Sequence, residues 1–503
     1  MLYKMMIAFV LGLITLVNSN ISYADYRFRY KADGILVQKG NSFKITTNSL
    51  SDAEEGTPYT FTLNSTNPNN NTLTWSSSSL PTGLNLNTST GEIFGTPSVN
   101  GSFSITFTVS DGTDSTNKDL DLTINTSPSA DFLIGSDTRE GSNFGTSVSL
   151  NGNYALVTED DGEGYGTGYG YIFDISTGTE LHKLSPSDQQ ANDKFGATSK
   201  TAAIGGNYAA IGAFGKNSSR GAVYVFNIST GTQVYKLEAS DGTSGDSFGY
   251  SLAIDGNNLI VGAYTAGTEG AAYVFNLSTG TEVRKLTPSD TGTSMSFGES
   301  VAIDGNYIVV GASRDDENSY FSGAAYVFDL STGNQLHKLM ASDGASYDRF
   351  GISVGISGSN IIVGSYGDDF GVGTGDAIEY SGAAYIFNAA TGTELFKLDA
   401  SDKSDLKDSF GYSVSIDGTT AVISAPYNDD AGISSGSVYV FNASNGSQVT
   451  KFDADDTLAG DNFGNSIYIS GSNIIISADK ADDVGNNFGK AYIFNTSGNQ
   501  ITW

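Results

Sequence analysis

Residues 248–286 read FGYSLAIDGNNLIVGAYTAGTEGAAYVFNLSTGTEVRKL, and this stretch decides the fold. It contains four short runs rich in β-branched and aromatic residues: FGYSLAI, NLIVGA, GAAYVFN and TEVRKL. An Asp-Gly turn separates the first two runs, a variable loop separates the next two, and a Thr-Gly turn separates the last two. Short runs joined by such turns predict one four-stranded antiparallel β-sheet.

The same pattern recurs through the rest of the C-terminal part of the chain. The dipeptide Phe-Gly begins a unit at Phe144, Phe195, Phe248, Phe297, Phe350, Phe410 and Phe463. A Tyr-Val-Phe or Tyr-Ile-Phe tripeptide keeps the same spacing, at Tyr171, Tyr224, Tyr273, Tyr326, Tyr385, Tyr439 and Tyr492. One such sheet cannot bury both faces, whereas seven around an axis can. The sequence predicts an all-β protein with a seven-bladed β-propeller of four-stranded antiparallel blades over residues 131–503. A linear stack of repeats is the alternative.

Two segments compete to complete the last sheet of the predicted ring. Residues 132–134, Phe-Leu-Ile, precede the first Phe-Gly and resemble the end of a fourth strand. The final unit, YIFNTSGNQITW, is also long enough to carry its own fourth strand. The sequence leaves open which of them closes the ring.

These repeats resemble FG-GAP repeats, the blades of integrin α-subunit heads. The residues that carry the resemblance are Phe-Gly at the start of strand one and Gly-Ala after strand two, and the bacterial pattern SDGxxxDxFGxSVxIDG matches most closely. The resemblance implies a seven-bladed propeller used outside the cell for adhesion or ligand binding. The D-x-D-x-D-G-x-x-D calcium loop of integrins is replaced by short Asp-Gly turns, too few oxygens for the six to eight that calcium requires.

Residues 42–124 have a different sequence pattern. They contain prolines and segments in which polar and apolar residues alternate, as in strands, but they lack the repeat. The segments LPTGL at 80–84 and TGEIFGTP at 90–97, with Ser-Asp-Gly at 110–112, resemble the immunoglobulin-like, cadherin-related domains of bacterial surface proteins. The resemblance implies a small β-sandwich that acts as a spacer or adhesion module. Residues 125–130 form the predicted linker, and residues 25–41 receive no assignment.

The first 24 residues have the features of a signal peptide. A weakly basic start precedes a short apolar run, and Ser-Tyr-Ala at 22–24 is a small-x-small cleavage site. We therefore expect an exported protein, secreted or held at the cell surface, with the periplasm as an alternative and no transmembrane segment in the mature chain. The formal charge of −30 argues against nucleic-acid partners.

Catalysis is not expected. Cysteine is absent, and the two histidines, His182 and His337, share one repeat position on the predicted outer strand. Ser–His and Cys–His nucleophiles are thereby excluded. A catalytic pair of carboxylates would break the symmetry of the repeats, and the sequence displays no asymmetric acidic cluster. A carbohydrate-active propeller enzyme and a structural component of an extracellular layer or appendage are the alternatives to a binding protein.

The acidic residues are expected to converge on one face, since the loops from strand four to the next strand one and from strand two to strand three leave a blade on the same side. This face is predicted to contact an extracellular protein or glycan. Variable loops and acidic pairs supply the candidate ligand-binding residues Asp315, Asp316, Tyr320, Asp368, Asp369, Phe370, Tyr380, Asp429 and Asp430. The regular lysine of strand four, as in Lys285, is expected to protect an exposed sheet edge.

No cofactor is certain from the sequence, and calcium is a candidate. Repeated carboxylates seven and two residues before Phe-Gly could share an ion, or each Asp could cap its own turn, which is the favoured interpretation. The candidate metal ligands are Asp188, Asp193, Asp241, Asp246, Asp343, Asp348, Asp456 and Asp461 in the repeats, with Glu55 and Asp111 in the smaller domain.

Overall fold

The computed structural model divides the chain into two compact units, Met1–Ser129 and Ala130–Trp503. The residues that it describes are 26–31, 34–39, 43–54, 58–67, 71–125, 132–160, 167–290, 295–368, 380–402, 407–454, 456–482 and 487–503. The predicted signal peptide, residues 1–24, and most of the predicted linker lie outside the described residues.

The first unit is built from β-strands, all paired antiparallel except the parallel pair β4-β11. Its strands are β1 (Tyr26–Lys31), β2 (Gly34–Lys39), β3 (Lys44–Ile45), β4 (Ala53–Glu54), β5 (Tyr59–Thr62), β6 (Ser65–Thr66), β7 (Thr74–Ser77), β8 (Leu84–Leu86), β9 (Glu92–Gly95), β10 (Gly101–Ser110) and β11 (Ser115–Asn125). One sheet has the order β4-β11-β10-β7 and another the order β5-β9-β8, beside the pairs β1-β2 and β3-β6. Trp75 and Phe107 from the first sheet and Ile93 from the second share a buried core.

The second unit contains a succession of seven antiparallel sheets in the described residues, here called sheets 1 to 7. Sheets 1 to 3 comprise β12 (Val148–Asn151), β13 (Tyr154–Glu159), β14 (Tyr169–Asp174) and β15 (Thr179–Leu184); β16 (Ala202–Gly205), β17 (Tyr208–Ala213), β18 (Ala222–Asn227) and β19 (Gln233–Leu237); and β20 (Ser251–Asp255), β21 (Asn258–Ala263), β22 (Ala271–Asn276) and β23 (Thr281–Leu286). A single helical turn, α1 (Lys216–Ser219), lies between β17 and β18.

Sheets 4 to 7 repeat this arrangement. They comprise β24 (Ser300–Asp304), β25 (Tyr307–Ala312), β26 (Ala324–Asp329) and β27 (Gln335–Leu339); β28 (Ser353–Ser357), β29 (Asn360–Ser365), β30 (Ala383–Asn388) and β31 (Glu394–Leu398); β32 (Val414–Asp417), β33 (Thr420–Ala425), β34 (Ser437–Asn442) and β35 (Ser447–Phe452); and β36 (Ile467–Ser470), β37 (Asn473–Ala478) and β38 (Lys490–Asn495). Strands pair in chain order within each sheet, so the four-stranded antiparallel repeat predicted from the sequence is confirmed for sheets 1 to 6.

The two repeat markers pack against each other. In sheet 3, the ring of Phe248 lies 5.4 Å from that of Tyr273 and 5.7 Å from that of Phe275. The Gly-Ala marker has a steric cause, because a Cβ atom on Gly262 would lie 2.0 Å from the carbonyl oxygen of Gly298 in the next repeat. Aromatic packing inside each sheet and close backbone approach between sheets therefore maintain the sequence pattern.

The outer strand of sheet 7 contacts both segments that the sequence left as candidates for completing it. Leu133 exchanges both backbone hydrogen bonds with Ala491 at one end of β38. Ile501 donates its backbone N–H to Ile493 at the other end. Each candidate segment thus covers part of the outer edge of sheet 7.

The last residue also contacts the first sheet. The indole of Trp503 lies against Gly178 and donates a hydrogen bond to the Ile175 carbonyl oxygen, 2.6 Å away. Elsewhere a side chain from strand four covers the hairpin glycine of the next sheet in the same manner, as His182 does over Gly231. The C-terminus therefore repeats between sheets 7 and 1 a contact made between earlier neighbours.

Among the described residues, no helix has the length and apolar character needed to cross a membrane.

Candidate functional site

The two acidic loop types meet, as the sequence predicts, and a tyrosine joins them. In sheet 4 the hydroxyl of Tyr326 lies 3.1 Å from Asp290 in the loop that precedes strand one. It lies 2.7 Å from Asp315 in the loop between strands two and three. Sheet 5 repeats the arrangement, with Tyr385 2.8 Å from both Asp343 and Asp368. The tyrosine of the Tyr-Val-Phe marker is therefore the anchor of the acidic loops.

A lysine completes this arrangement in every sheet, and we call the unit the Tyr–Asp–Lys network. The ion pairs are Lys183–Asp137, Lys236–Asp188, Lys285–Asp241, Lys338–Asp290, Lys397–Asp343, Lys451–Asp402 and Lys490–Asp456. The sequence interpretation of the strand-four lysines as edge protection is wrong as their main role, since their ammonium groups bind loop carboxylates. In sheet 7, Lys490 comes from strand three and is fully buried.

The network shifts the pKa values of its members in opposite directions. Burial opposes ionisation of Asp188, but hydrogen bonds from Lys236 and Tyr224 hold its pKa at about 2. Burial and the neighbouring carboxylates raise the pKa of Tyr385 far above its usual range. At neutral pH the network of Asp188 therefore holds an ionised carboxylate, a charged lysine and a neutral phenol.

The carboxylates two residues before Phe-Gly hold their own turns. Asp246 accepts hydrogen bonds from the backbone N–H and the hydroxyl of Thr243, at 2.6 and 2.9 Å. The same backbone contact recurs in other repeats, where Asp193 accepts from Gln190, Asp348 from Ala345 and Asp461 from Leu458. In the smaller unit, Asp111 likewise accepts from the backbone of Thr113 and Asp114. The geometry matches the favoured turn-capping interpretation.

Calcium fits these carboxylates poorly. Asp241 already accepts from Tyr273 and Lys285, at 2.9 and 2.7 Å, so its oxygens face donors. Among the residues that the structure describes, no group of three or more His, Cys, Asp or Glu side chains is placed to hold a metal ion. Glu55 lies outside the described residues. Calcium binding stays a prediction.

The predicted ligand-binding residues fall into two groups. Asp315 and Asp368 are buried in the Tyr–Asp–Lys networks, and Asp430 pairs with Lys451, so these three belong to the scaffold. Asp316, Tyr320, Tyr380 and Asp429 are exposed on the loop face. Tyr320 stacks on Phe321, with their ring centroids 4.1 Å apart. Asp369 and Phe370 lie outside the described residues.

A cavity of about 420 Å³ lies on the loop side of the second unit, and we call it the funnel. Every sheet contributes the residue that follows Phe-Gly: Thr146, Ala197, Tyr250, Glu299, Ile352, Tyr412 and Asn465. Tyr366, Tyr427 and Asp479, from the ends of second strands, complete much of the wall. The positions that line the funnel vary in every repeat, whereas the Tyr–Asp–Lys network is almost constant.

The bottom of the funnel is occupied by the segment that precedes β16. Lys200 belongs to the segment before β16, and its ammonium group donates to the carbonyl oxygen of Ile352 in the fifth repeat. Burial lowers the pKa of Lys200, while the charge of Glu299 opposes that shift. The lysine thus reaches from the second repeat to the fifth and lies between the funnel and a narrow cavity lined by the first strands of all seven sheets.

Two carboxyl groups in the funnel break the symmetry of the repeats. Glu299 is buried and accepts a hydrogen bond from Ser313. Asp479 is only 9% exposed, and its Oδ1 atom has no hydrogen-bond partner among the described residues. Burial raises the pKa of Asp479 to about 7, against the opposing attraction of Lys480. A carboxyl group in this state can either donate or accept a hydrogen bond near neutral pH.

A side pocket of about 430 Å³ shares Tyr366 and Tyr427 with the funnel. It contains Tyr380 and Asp429, both predicted from the sequence as contact residues. The funnel residues themselves were missed, because their position reads as ordinary strand sequence. A signal was present, however: the position after Phe-Gly holds six different residue types in seven repeats, whereas the Phe-Gly before it does not change.

Comparison of the chain with family sequence models identifies the repeats. The model described as "FG-GAP repeat" matches residues 179–226, 232–275, 281–328, 334–387, 393–441 and 447–494, more than half of the chain. The chain belongs to the FG-GAP repeat family, which confirms the resemblance inferred from Phe-Gly and Gly-Ala. A second model, described as "Putative Ig domain", matches residues 41–127 of the smaller unit.

No curated protein sequence matches the chain. Among solved structures, the β-propeller domain of the Trilobed protease from Pyrococcus furiosus is similar over 72% of this chain and 98% of its own, with 9% identity and a TM-score of 0.45. An enzyme described as a "putative alpha-galactosidase/melibiase" from Bacteroides fragilis matches at 21% identity with a TM-score of 0.16. That match covers only 18% of each chain.

Proposed function

We propose that this chain is an exported binding protein, secreted or held at the cell surface, that contacts a protein or glycan ligand through the loop face of its FG-GAP unit and performs no catalysis. The immunoglobulin-like unit serves as a small β-sandwich spacer. Membership of the FG-GAP family and the Ig-domain match are consistent with a binding or surface protein. The signal-peptide features of residues 1–24 support export.

A closed seven-bladed propeller is part of this proposal. Its support is the core shared by sheets 1 and 7, which includes Leu133, Phe144, Ile475 and Ile493. In addition, the backbone N–H of Val148 in sheet 1 donates to Ser466 beside sheet 7, at 3.2 Å. A ring of seven sheets brings seven loop sets onto one face, and this convergence creates the funnel.

The observation that carries the proposal is the difference in composition between the repeated acidic loops and the funnel on that face. The repeated carboxylates are compensated by lysines, whereas the funnel contains half-buried tyrosines and the orphan oxygen of Asp479. Binding sites are concave, rich in aromatic residues and equipped with a few polar groups. The funnel and its side pocket meet this description.

The test is a binding screen of the full chain, without residues 1–24, on arrays of extracellular matrix proteins and glycans, with and without chelator. The variant Tyr412→Ala, Tyr427→Ala alters the funnel, and Tyr154→Ala is the matched control because Tyr154 lies on the opposite, hairpin face. We expect saturable binding that the double variant weakens at least tenfold and the control leaves unchanged. Absence of any saturable ligand, or equal losses in both variants, would refute the proposal.

A glycoside hydrolase is a second candidate, favoured by one observation. An enzyme of this class needs two acids in different environments, and Glu299 and Asp479 are two such acids in the funnel. The test is incubation with any bound oligosaccharide followed by analysis of reducing ends. New reducing ends that disappear in both Glu299→Gln and Asp479→Asn would establish hydrolysis in place of simple binding.

A further inference from the structure

The charges in the funnel nearly cancel, which restricts the ligand that it can hold. Glu299 lies close enough to Lys200 to oppose the lowering of the lysine pKa. The charge of Lys480 acts in the same way on the carboxyl group of Asp479. The cavity therefore offers no large net field to a cation or an anion, although the whole chain carries a formal charge of −30. A neutral polar ligand suits it best.

The aromatic side chains form two groups on the funnel wall. Tyr250 packs against Tyr264, with their ring centroids 4.3 Å apart. Tyr412 lies between Tyr366 and Tyr427, at 6.0 and 6.2 Å. Tyr250, Tyr366, Tyr412 and Tyr427 line the funnel and are partly exposed, so each group leaves ring surface open to the cavity. Such surfaces accept the apolar C–H faces of a sugar ring, which stack on aromatic rings at low entropic cost.

Hydrogen-bonding groups lie beside these rings. Asn462 and Asn465 carry amide groups that donate and accept, and both line the funnel. The buried Oδ1 atom of Asp479 lacks a partner among the described residues. Leaving a buried polar atom unpaired is unfavourable, and a ligand hydroxyl that reached this oxygen would recover part of the lost hydrogen-bond energy.

From these observations we infer that the funnel binds a neutral saccharide, with a pyranose ring stacked on the Tyr366–Tyr412–Tyr427 group and its hydroxyls hydrogen-bonded to Asp479 and the asparagine amides. The inference rests on the proposed function and names its ligand class. The volumes of the funnel and the side pocket, about 420 and 430 Å³, place each within the usual range for small-molecule sites. Together they accommodate an oligosaccharide of more than one ring.

The experiment probes the full chain, without residues 1–24, on an array of neutral oligosaccharides with matched sialylated and sulfated forms. The best neutral binder is then titrated by calorimetry. We expect Tyr412→Ala to weaken its affinity at least tenfold and Tyr412→Phe to retain most of it, because Phe keeps the stacking surface. Tyr154→Ala, an aromatic change on the opposite, hairpin face, should leave the affinity within twofold.

The pH dependence supplies a second readout. Asp479→Asn should weaken binding several-fold and abolish the change in affinity between pH 6 and pH 8 that protonation of Asp479 causes in the parent protein. Binding restricted to anionic glycans or to basic peptides would overturn the inference, as would affinity unaffected by Tyr412→Ala in a folded variant. If no neutral glycan binds but a matrix protein binds through the funnel, the saccharide inference fails and the proposed function survives. If nothing binds, both fail.

Discussion

The loop face has two regions: the rim, formed by the Tyr–Asp–Lys networks, and the centre, which is the funnel. Both contain tyrosines and acidic residues, but these residues have different roles in the two regions. At the rim, one Tyr–Asp–Lys network recurs in each sheet, and in each network a loop aspartate pairs with a lysine. In the funnel, the tyrosines and acids occupy positions that differ from repeat to repeat, and Asp479 retains an orphan oxygen. A network that is repeated in every sheet indicates a structural role, whereas residues that break the symmetry of the repeats indicate a binding site.

This difference shows why the abundance of acidic residues is a poor guide to the site. Most of the aspartates that the sequence brings to notice, such as Asp241 and Asp246, have donors within their own repeat. Their number reflects the number of sheets. The informative residues are those that appear once, and Glu299 and Asp479 are conspicuous only after the sheets are placed around an axis.

The largest expected effect concerns the rim. Lys397→Met should destabilise the FG-GAP unit by about 3 kcal/mol, because it leaves Asp368, whose side chain is 5% exposed, without its ion-pair partner. The matched variant is Lys285→Met, whose partner Asp241 is 52% exposed and should cost no more than about 1 kcal/mol. Urea unfolding followed by circular dichroism measures both.

The same pair of variants can also contradict the role given to the buried carboxylate. If Lys285→Met and Lys397→Met cost equally, then the second, buried carboxylate does not determine the strength of a network. A further check is pH, because the penalty in Lys397→Met should shrink below about pH 4, where carboxylates become protonated. A penalty that stayed constant with pH would point to lost packing of the lysine stem instead.

The second expected effect concerns the funnel. Asp479→Asn should stabilise the unit by on the order of 2 kcal/mol at pH 8 and have little effect at pH 4. Its pKa rises from 3.8 to about 7 on folding, so the folded state binds the proton more tightly. Stability of the parent protein therefore falls as pH rises from about 4 to 7, and the amide removes this loss. Thermal melts across this range measure the effect, and a gain that did not depend on pH would contradict it.

A feature of the structure could be predicted from the sequence when the residues that form it lie close together in the chain. Sheet order, hairpins and the meeting of the two loop types depend on contacts within one repeat, and the Phe-Gly and Tyr-Val-Phe spacing predicted them. The partner of Lys285 is Asp241, more than forty residues away, so the lysine could be mistaken for edge protection. The funnel needs residues from all seven repeats, such as Lys200 reaching Ile352, and no local pattern contains that information.

The third effect tests the turn caps. Asp246→Ala should cost about 1 kcal/mol, since it removes two hydrogen bonds that hold the turn at Thr243. The loss should be the same in chelator and in millimolar Ca²⁺, because a turn cap needs no ion. Calorimetric titration of the chelated parent protein with Ca²⁺ provides the independent measurement. A calcium-dependent rise in the melting temperature that Asp246→Ala abolished would instead assign an ion to this loop.

The smallest effect separates two adjacent acids of one loop. Asp316→Asn should change the free energy of unfolding by less than about 0.5 kcal/mol, because Asp316 is exposed, whereas its neighbour Asp315 is 1% exposed and bound to Tyr326 and Lys338. Asp315→Asn keeps the shape but weakens the ion pair, and should cost about 1–2 kcal/mol. Because both variants remove one negative charge from the same face, their difference reports pairing rather than net charge. Equal costs for the two would show that the rim acids act through the overall field of the face, and the distinction between rim and funnel would then lose its physical basis.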